Sequence, residues 1–246
     1  MGIPRFYCSP PLGADTELEL APAAAHHASR VLRLRVNDTV QLFDGTGIEL
    51  TGSIREISSK RVVLEKLQVG AVNRESPLHI VLAQALCSSE KMDWVVQKAT
   101  ELGVTEIQPV QTQRSVAKLA NERAEKRVDH WRSVIIAACE QCGRNVLPLI
   151  HPPQGLPEWL GMTRTRPGQK FMLLPQAAST ISSIHPVPKE TITLLIGPEG
   201  GFTADEEVLA QRIGFIPIRL GARVLRTETA AVAGIATLQA LWGDFQ

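Results

Sequence analysis

Hydrophobic and polar positions follow two different rhythms along the chain. The segment Val40-Gln41-Leu42-Phe43-Asp44-Gly45-Thr46-Gly47 alternates and then meets Asp-Gly turn chemistry, as a strand entering a hairpin does. Residues 52–57 and 61–65 alternate with the same period of two, which predicts two more short strands. One helical stretch, over 21–34, interrupts them. Short strands with tight turns predict a small β-barrel. A polar stretch over 70–77 reads as a linker, so the expected domains are 1–72 and 73–246.

Beyond the linker the apolar segments lengthen. Residues 78–86 form a continuous apolar run, the mark of a strand buried on both faces. Over 91–102, Met92, Val95, Val96, Ala99 and Leu102 share one helical face and Gly103 supplies the stop. A strand is predicted over 104–110 and a long helix over 122–142, with further strands near Val146, Phe171, Ile192 and Ile216. Thr203-Ala204-Asp205-Glu206 is a capping box that opens another helix. Residues 228–242 are apolar around most of a helical circumference and therefore need burial. Alternating strands and helices imply an α/β domain whose parallel sheet is covered on both faces.

Composition narrows the class without fixing it. Of the 246 residues, 44% are apolar, which is too many for a disordered chain. No window approaches the ~18 uninterrupted apolar residues of a membrane helix, and the first residues lack a signal-peptide run. The expectation is a cytoplasmic protein with no membrane partner. A net charge of +1 weighs only weakly against a purely electrostatic nucleic-acid binder and permits an enzyme that reads one RNA site through a local patch. Cys139 and Cys142 form a C-x-x-C, but Cys8 and Cys87 stand too far away to complete a zinc site. The pair falls near the end of a helical pattern, where the dipole opposes a thiolate, so it reads as two ordinary helix cysteines.

Two glycine-bearing turns follow strands in the last third. The first is Ile196-Gly197-Pro198-Glu199-Gly200-Gly201-Phe202; the second is Leu220-Gly221-Ala222-Arg223-Val224-Leu225-Arg226-Thr227-Glu228-Thr229-Ala230. Ligands of open α/β sheets bind outside the carboxyl ends of the strands, and glycine there lets a backbone approach a ligand closely. Neither turn fits G-x-G-x-x-G or the P-loop. The residues alone leave two readings open, plain turns or a ligand loop.

The two segments together resemble the signature of the SPOUT methyltransferases. More narrowly they resemble the RsmE family, which methylates N3 of a uridine in 16S ribosomal RNA of the small subunit. The likeness runs the length of the chain, through Arg5-Phe6-Tyr7, residues 27–33 with Asp44-Gly45, residues 90–103, and Ala138-Cys139-Glu140-Gln141-Cys142-Gly143-Arg144. It implies a PUA-like β-barrel for RNA binding over 1–72 and a trefoil-knotted α/β domain over 73–246. It also implies bent S-adenosylmethionine in the knot's loops and a homodimer with the site at its interface. Carried over by position, the cofactor contacts are Leu174 and Pro175, then Gly197, Glu199 and Gly200, then Leu220, Gly221, Leu225, Arg226 and Thr229. Some relatives carry a polar residue where this chain has Leu174, so a side-chain hydrogen bond is not expected there.

Methyl transfer from a sulfonium is an in-line displacement, and no metal is expected. Removing the N3 proton spreads negative charge over the uracil oxygens, which an arginine can stabilise. Arg226 is assigned that role; its alternative is a salt bridge to Glu228 or a helix-end contact. Glu199 and Glu140 are the candidate general bases, although Glu199 could cap a helix and Glu140 could pair with Arg144, and water could take the proton instead. Arg5, Arg30, Arg33, Arg35, Arg114 and Arg144 are the expected RNA contacts. Arg123, Lys126, Arg127 and Arg132 alternate with acids and read as a solvated helix face. The competing readings are a SPOUT ribose 2′-O-methyltransferase and a non-catalytic ribosome-assembly protein that binds RNA.

Overall fold

A computed structural model describes residues 2–9, 11–13, 17–70, 72–116, 122–184 and 190–245. Two compact units emerge, one made of Met1–Glu75 with Ile136–Leu147 and the other of Ser76–Ile135 with Pro148–Gln246. Residues 73–75 and 136–147 thus join the N-terminal residues, whereas the sequence reading placed them in the second domain. Ala71 of the expected linker lies outside the described residues.

The first unit holds β1 (Arg5–Tyr7), β2 (Glu17–Glu19), α1 (Pro22–His26), β3 (Thr39–Phe43), β4 (Glu49–Ile57) and β5 (Val62–Gly70). These strands form a sheet in the order β1-β3-β4-β5-β2. β1 runs parallel to β3 and the remaining pairs are antiparallel. Two register shifts in β4, near Ser53 and Glu56, bend the long β4–β5 pair. Inward positions of alternate residues, among them Phe6, Val40, Leu42, Leu50, Ile54 and Leu64, make the core with Ala25 and Ala28. The helix expected over 21–34 is shorter. After Pro22–His26 the chain continues as a π-helical turn, His27–Val31, and Arg33 then takes a positive φ of 55° that no helix accepts.

The second unit begins with β6 (His79–Ala85), α2 (Ser89–Glu101) and β7 (Glu106–Gln111). α3 (Glu122–Cys142) follows, its last turns belonging to the first unit. Then come β8 (Leu149–Ile150), β9 (Gln154–Gly155), α4 (Leu156–Thr163), β10 (Gln169–Leu173) and β11 (Ser179–Thr180). The chain closes with β12 (Thr191–Ile196), α5 (Ala204–Arg212), β13 (Ile216–Arg219) and α6 (Thr227–Trp242). The described strands order as β11-β13-β10-β12-β6-β7-β8, with β9 also on β7, and every pair is parallel.

The continuous apolar run is the interior strand β6, buried from Ile80 to Ala85. Ala83 and Ala85 face a core built with Trp159 and Leu160 of α4, Ala210 of α5, and Phe215. The opposite face is covered by α6, which lies against β6, β12 and α2. A strand expected near Val146 is not there. Val146 makes only isolated bridges to Gly45 and Thr46, and the next strand is the two-residue β8 at Leu149–Ile150. The capping box forms as predicted: Thr203 Oγ1 accepts from the Glu206 backbone N–H and the Glu206 carboxylate accepts from that of Thr203.

No described helix is long and apolar enough to cross a membrane. No described cluster of His, Cys, Asp and Glu could hold a metal ion. The four cysteines form no disulfide, and hydrogen bonding to Cys142 followed by burial pushes the Cys139 thiol up, away from a thiolate.

Candidate active site

β13, β10 and β12 are neighbours and parallel, so the loops leaving their carboxyl ends meet on one side of the sheet. They enclose a cleft of about 610 Å³, within the usual range for a small-molecule site. The loop after β10 contributes Leu174 and Pro175. The loop after β12 contributes Gly197 and Glu199, and the loop after β13 contributes Leu220, Gly221, Leu225 and Arg226. Eight of the ten cofactor positions carried over from the sequence therefore line one cavity. Gly200 and Thr229 stand outside that lining.

Local chemistry explains the shape of these loops. Gly221 has φ +115° with open space around it, so its conformation, and not crowding, demands glycine. At Gly197 the reason differs: a Cβ there would sit 3.0 Å from the Phe202 ring, which packs back across the loop. Arg114 donates to the carbonyls of Gly200, at 2.9 Å, and Phe202, at 3.3 Å. An arginine expected to contact RNA is instead tied to the backbone of the β12 loop.

The charged rim centres on Lys91. It stands in the first turn of α2, where the helix dipole disfavours a cation, and it reaches Glu199 at 2.9 Å and Glu228 at 3.6 Å. Burial raises the Glu199 pKa, but the Lys91 hydrogen bond and charge outweigh it and hold the carboxyl below its ordinary value. The Lys91 ammonium is pushed up in turn, first by its hydrogen bond to Glu199. Burial, with Glu199 adding, pushes the nearby Cys87 thiol up to about 12. Glu228 is thus Lys91's partner. The Arg226 side chain, exposed at the head of α6, makes no hydrogen bond or ion pair among the described residues.

Three of the expected site residues have partners inside the first unit. The Glu140 carboxylate accepts the Tyr7 backbone N–H at 3.0 Å. The Arg5 side chain is buried and donates to Glu49, Asn145 and the Arg144 carbonyl. Arg144 is buried as well and pairs with Glu75 at 2.7 Å. Both guanidinium groups serve the interior of the unit and are closed to a phosphate in this conformation. Arg30, Arg33 and Arg35 remain exposed.

Lys91, Thr227 and Gln84 escaped the sequence reading as site residues. A cation in the first turn of a helix is a weak signal that it has a partner elsewhere. Nothing in the sequence marks Gln84 or its bond to Thr227, 143 positions later.

Residues 74–239 match the model of an RNA methyltransferase domain and residues 20–67 that of an RNA methyltransferase PUA domain. The chain is 36% identical to ribosomal RNA small subunit methyltransferase E of Buchnera aphidicola from Schizaphis graminum, over 98% of each chain. A ribosomal RNA small subunit methyltransferase E of Neisseria gonorrhoeae, solved bound to S-adenosyl methionine, superposes with TM-score 0.92 at 39% identity over 100% of both chains. A Legionella pneumophila protein assigned as a methyltransferase and solved with the cofactor SAM gives TM-score 0.93 at 40% identity, again over 100% of both.

Proposed function

The chain belongs to the ribosomal RNA small subunit methyltransferase E family, and from that membership we propose that it transfers the methyl group of S-adenosylmethionine to N3 of a uridine in 16S ribosomal RNA, in the cytoplasm. The observation that carries this reading is the convergence of three strand-end loops on one cleft with a free arginine at its edge.

The residues suit the cofactor. Leu174, Leu220 and Leu225 offer apolar surface for an adenine ring, while the glycine loops offer backbone donors and acceptors close by. The cofactor supplies a methyl carbon on a sulfonium. The chain supplies alignment, which can contribute on the order of 7 kcal/mol or more, and charge stabilisation from Arg226 as negative charge spreads over the uracil O2 and O4. Glu199 is a poor general base, because Lys91 keeps it ionised and weakly basic. The N3 proton passes to water once Arg226 has made the imide more acidic.

α6 also supports a homodimer. Ala231, Ile235 and Leu238 are buried against the unit's own core, while Val232, Ala233 and Ala236 stay half-open and Leu241 is 40% exposed. A second copy of the chain would cover that face. Calorimetric titration with S-adenosylmethionine, followed by mapping of the methylated nucleoside, tests the proposal. Saturable binding and N3-methyluridine are expected, with sedimentation at the mass of two chains. Absence of binding removes the enzymatic reading, and a 2′-O-methyl product replaces it with the ribose alternative.

Arg30 and Arg33 are proposed as phosphate contacts of the first unit. Replacing both with glutamine should lower the slope of log affinity against log salt by about 1.4, the value for two phosphates on single-stranded RNA. An unchanged slope takes them out of the interface.

A further inference from the structure

A buried chain of side-chain hydrogen bonds ties the cleft to the interior strand β6. Gln84, at the end of β6, is fully buried and Thr227, the first residue of α6, is 5% exposed. Gln84 Nε2 donates to the Ala85 carbonyl at 3.0 Å and to Thr227 Oγ1 at 2.9 Å. Thr227 Oγ1 in turn donates to the Gly197 carbonyl at 2.6 Å.

The direction of every bond is fixed by chemistry. A carbonyl only accepts, so the Gln84 atom facing Ala85 must be the amide nitrogen, because the oxygen there would oppose another oxygen. The same nitrogen then gives its second proton to Thr227. With its oxygen accepting, the single hydroxyl proton of Thr227 is left to point at Gly197. Thus Gln84 sets the hydroxyl's orientation, and the hydroxyl holds the β12 loop. Thr227 also follows Arg226 directly, so one side chain fixes the backbone beside the arginine against the loop that carries Gly197 and Glu199.

We infer that Gln84 and Thr227 are positioning residues that set the distance between the cofactor loop after β12 and Arg226, and so couple cofactor binding to methyl transfer. This rests on the cleft being the S-adenosylmethionine site. Gln84 does not line the cleft, and Thr227, which does, spends its one hydroxyl proton on the Gly197 carbonyl. A bond between two buried partners in a low-dielectric site holds its geometry more firmly than one at the surface.

Thr227→Val keeps the branched shape and removes the hydroxyl, whereas Thr227→Ser keeps the hydroxyl and removes the methyl. The folded variants would be compared by calorimetry with S-adenosylmethionine and by turnover at saturating cofactor. Thr227→Val should weaken cofactor binding about tenfold, equivalent to about 1.4 kcal/mol, and should lower kcat at saturating cofactor as well. Thr227→Ser should recover most of both. Gln84→Met, which removes the orienting donor and keeps the bulk, carries the same expectation should Thr227→Val not fold. A folded Thr227→Val or Gln84→Met that changes only thermal stability, with binding and kcat as in the parent, overturns the inference. So does a serine variant as impaired as the valine one. If the parent protein itself binds no S-adenosylmethionine, the functional reading fails and this inference falls with it; parent binding with unaffected variants defeats the inference alone.

Discussion

Arg226→Ala is expected to lower methyl transfer to RNA by ~10²–10³-fold, the loss typical of removing one preorganised charge-stabilising donor, with a much smaller loss of affinity for S-adenosylmethionine. The split follows from how the residue is held. Its backbone is the N-cap of α6 and its carbonyl accepts the Ala230 N–H at 2.8 Å, so the chain path beside the cleft does not depend on the side chain. The guanidinium makes no hydrogen bond or ion pair among the described residues, and truncation therefore breaks no internal contact. Glu228, the carboxylate that could have claimed it, is held by Lys91. A cation left without a partner at a ligand cleft is kept for something that arrives. Arg226→Lys should recover only part of the rate, since a point charge cannot reach two oxygens as a planar fork does. Parent turnover in the alanine variant would remove Arg226 from the chemistry. An equal loss of cofactor affinity and rate would move its role from the transition state to binding.

How much of this was legible in the sequence depends on the range over which each signal acts. β6, α2, α3 and the capping box of α5 announce themselves through periodicity or through contacts three or four residues apart. Strands of two or three residues, such as β1, β2, β9 and β11, are too short to show a period. α4 carries Pro157 and Gly161 within eight residues, which hides a helix whose Leu156, Trp159 and Leu160 are nonetheless core. The pattern of α3 reads as one helix, and nothing in a helical period tells which core its last turns join.

The site divides the same way. Glycine-bearing turns after buried strands make the β12 and β13 loops candidates for a ligand, and the family motif names the positions. Partners distant in sequence leave no such trace. Lys91 and Glu199 are 108 positions apart, and Arg5 and Asn145 are 140 apart. Arginine at position 5 looks the same in sequence whether it meets a phosphate or a buried carboxylate. The difference is decided by burial, which only the fold supplies.

That burial sets up the largest stability effect expected in the first unit. Glu49 is 2% exposed and accepts from Arg5 at 2.5 Å and from Arg74 at 3.2 Å. Burial raises its pKa, but the two arginines prevail and hold the carboxyl below its ordinary value. Arg5→Met would leave this carboxylate with the more exposed Arg74 alone and would strip donors from Gln41, Asn145 and the Arg144 carbonyl. Breaking one side of a buried pair typically costs about 3–5 kcal/mol, and a loss of unfolding free energy of that size, read from a lowered denaturant midpoint, is expected. Arg5→Met with Glu49→Met should be more stable than Arg5→Met alone, because the second change removes the uncompensated charge. The parent's dependence on pH follows from the same lowered pKa: the stability Glu49 contributes is complete above its ordinary value and is lost as pH falls through the depressed folded one. Arg5→Met should flatten that acid limb. A single variant as stable as the parent, or a double variant weakened by the sum of two losses, would mean that the pair is not what holds β1 and β4 to the segment around Asn145.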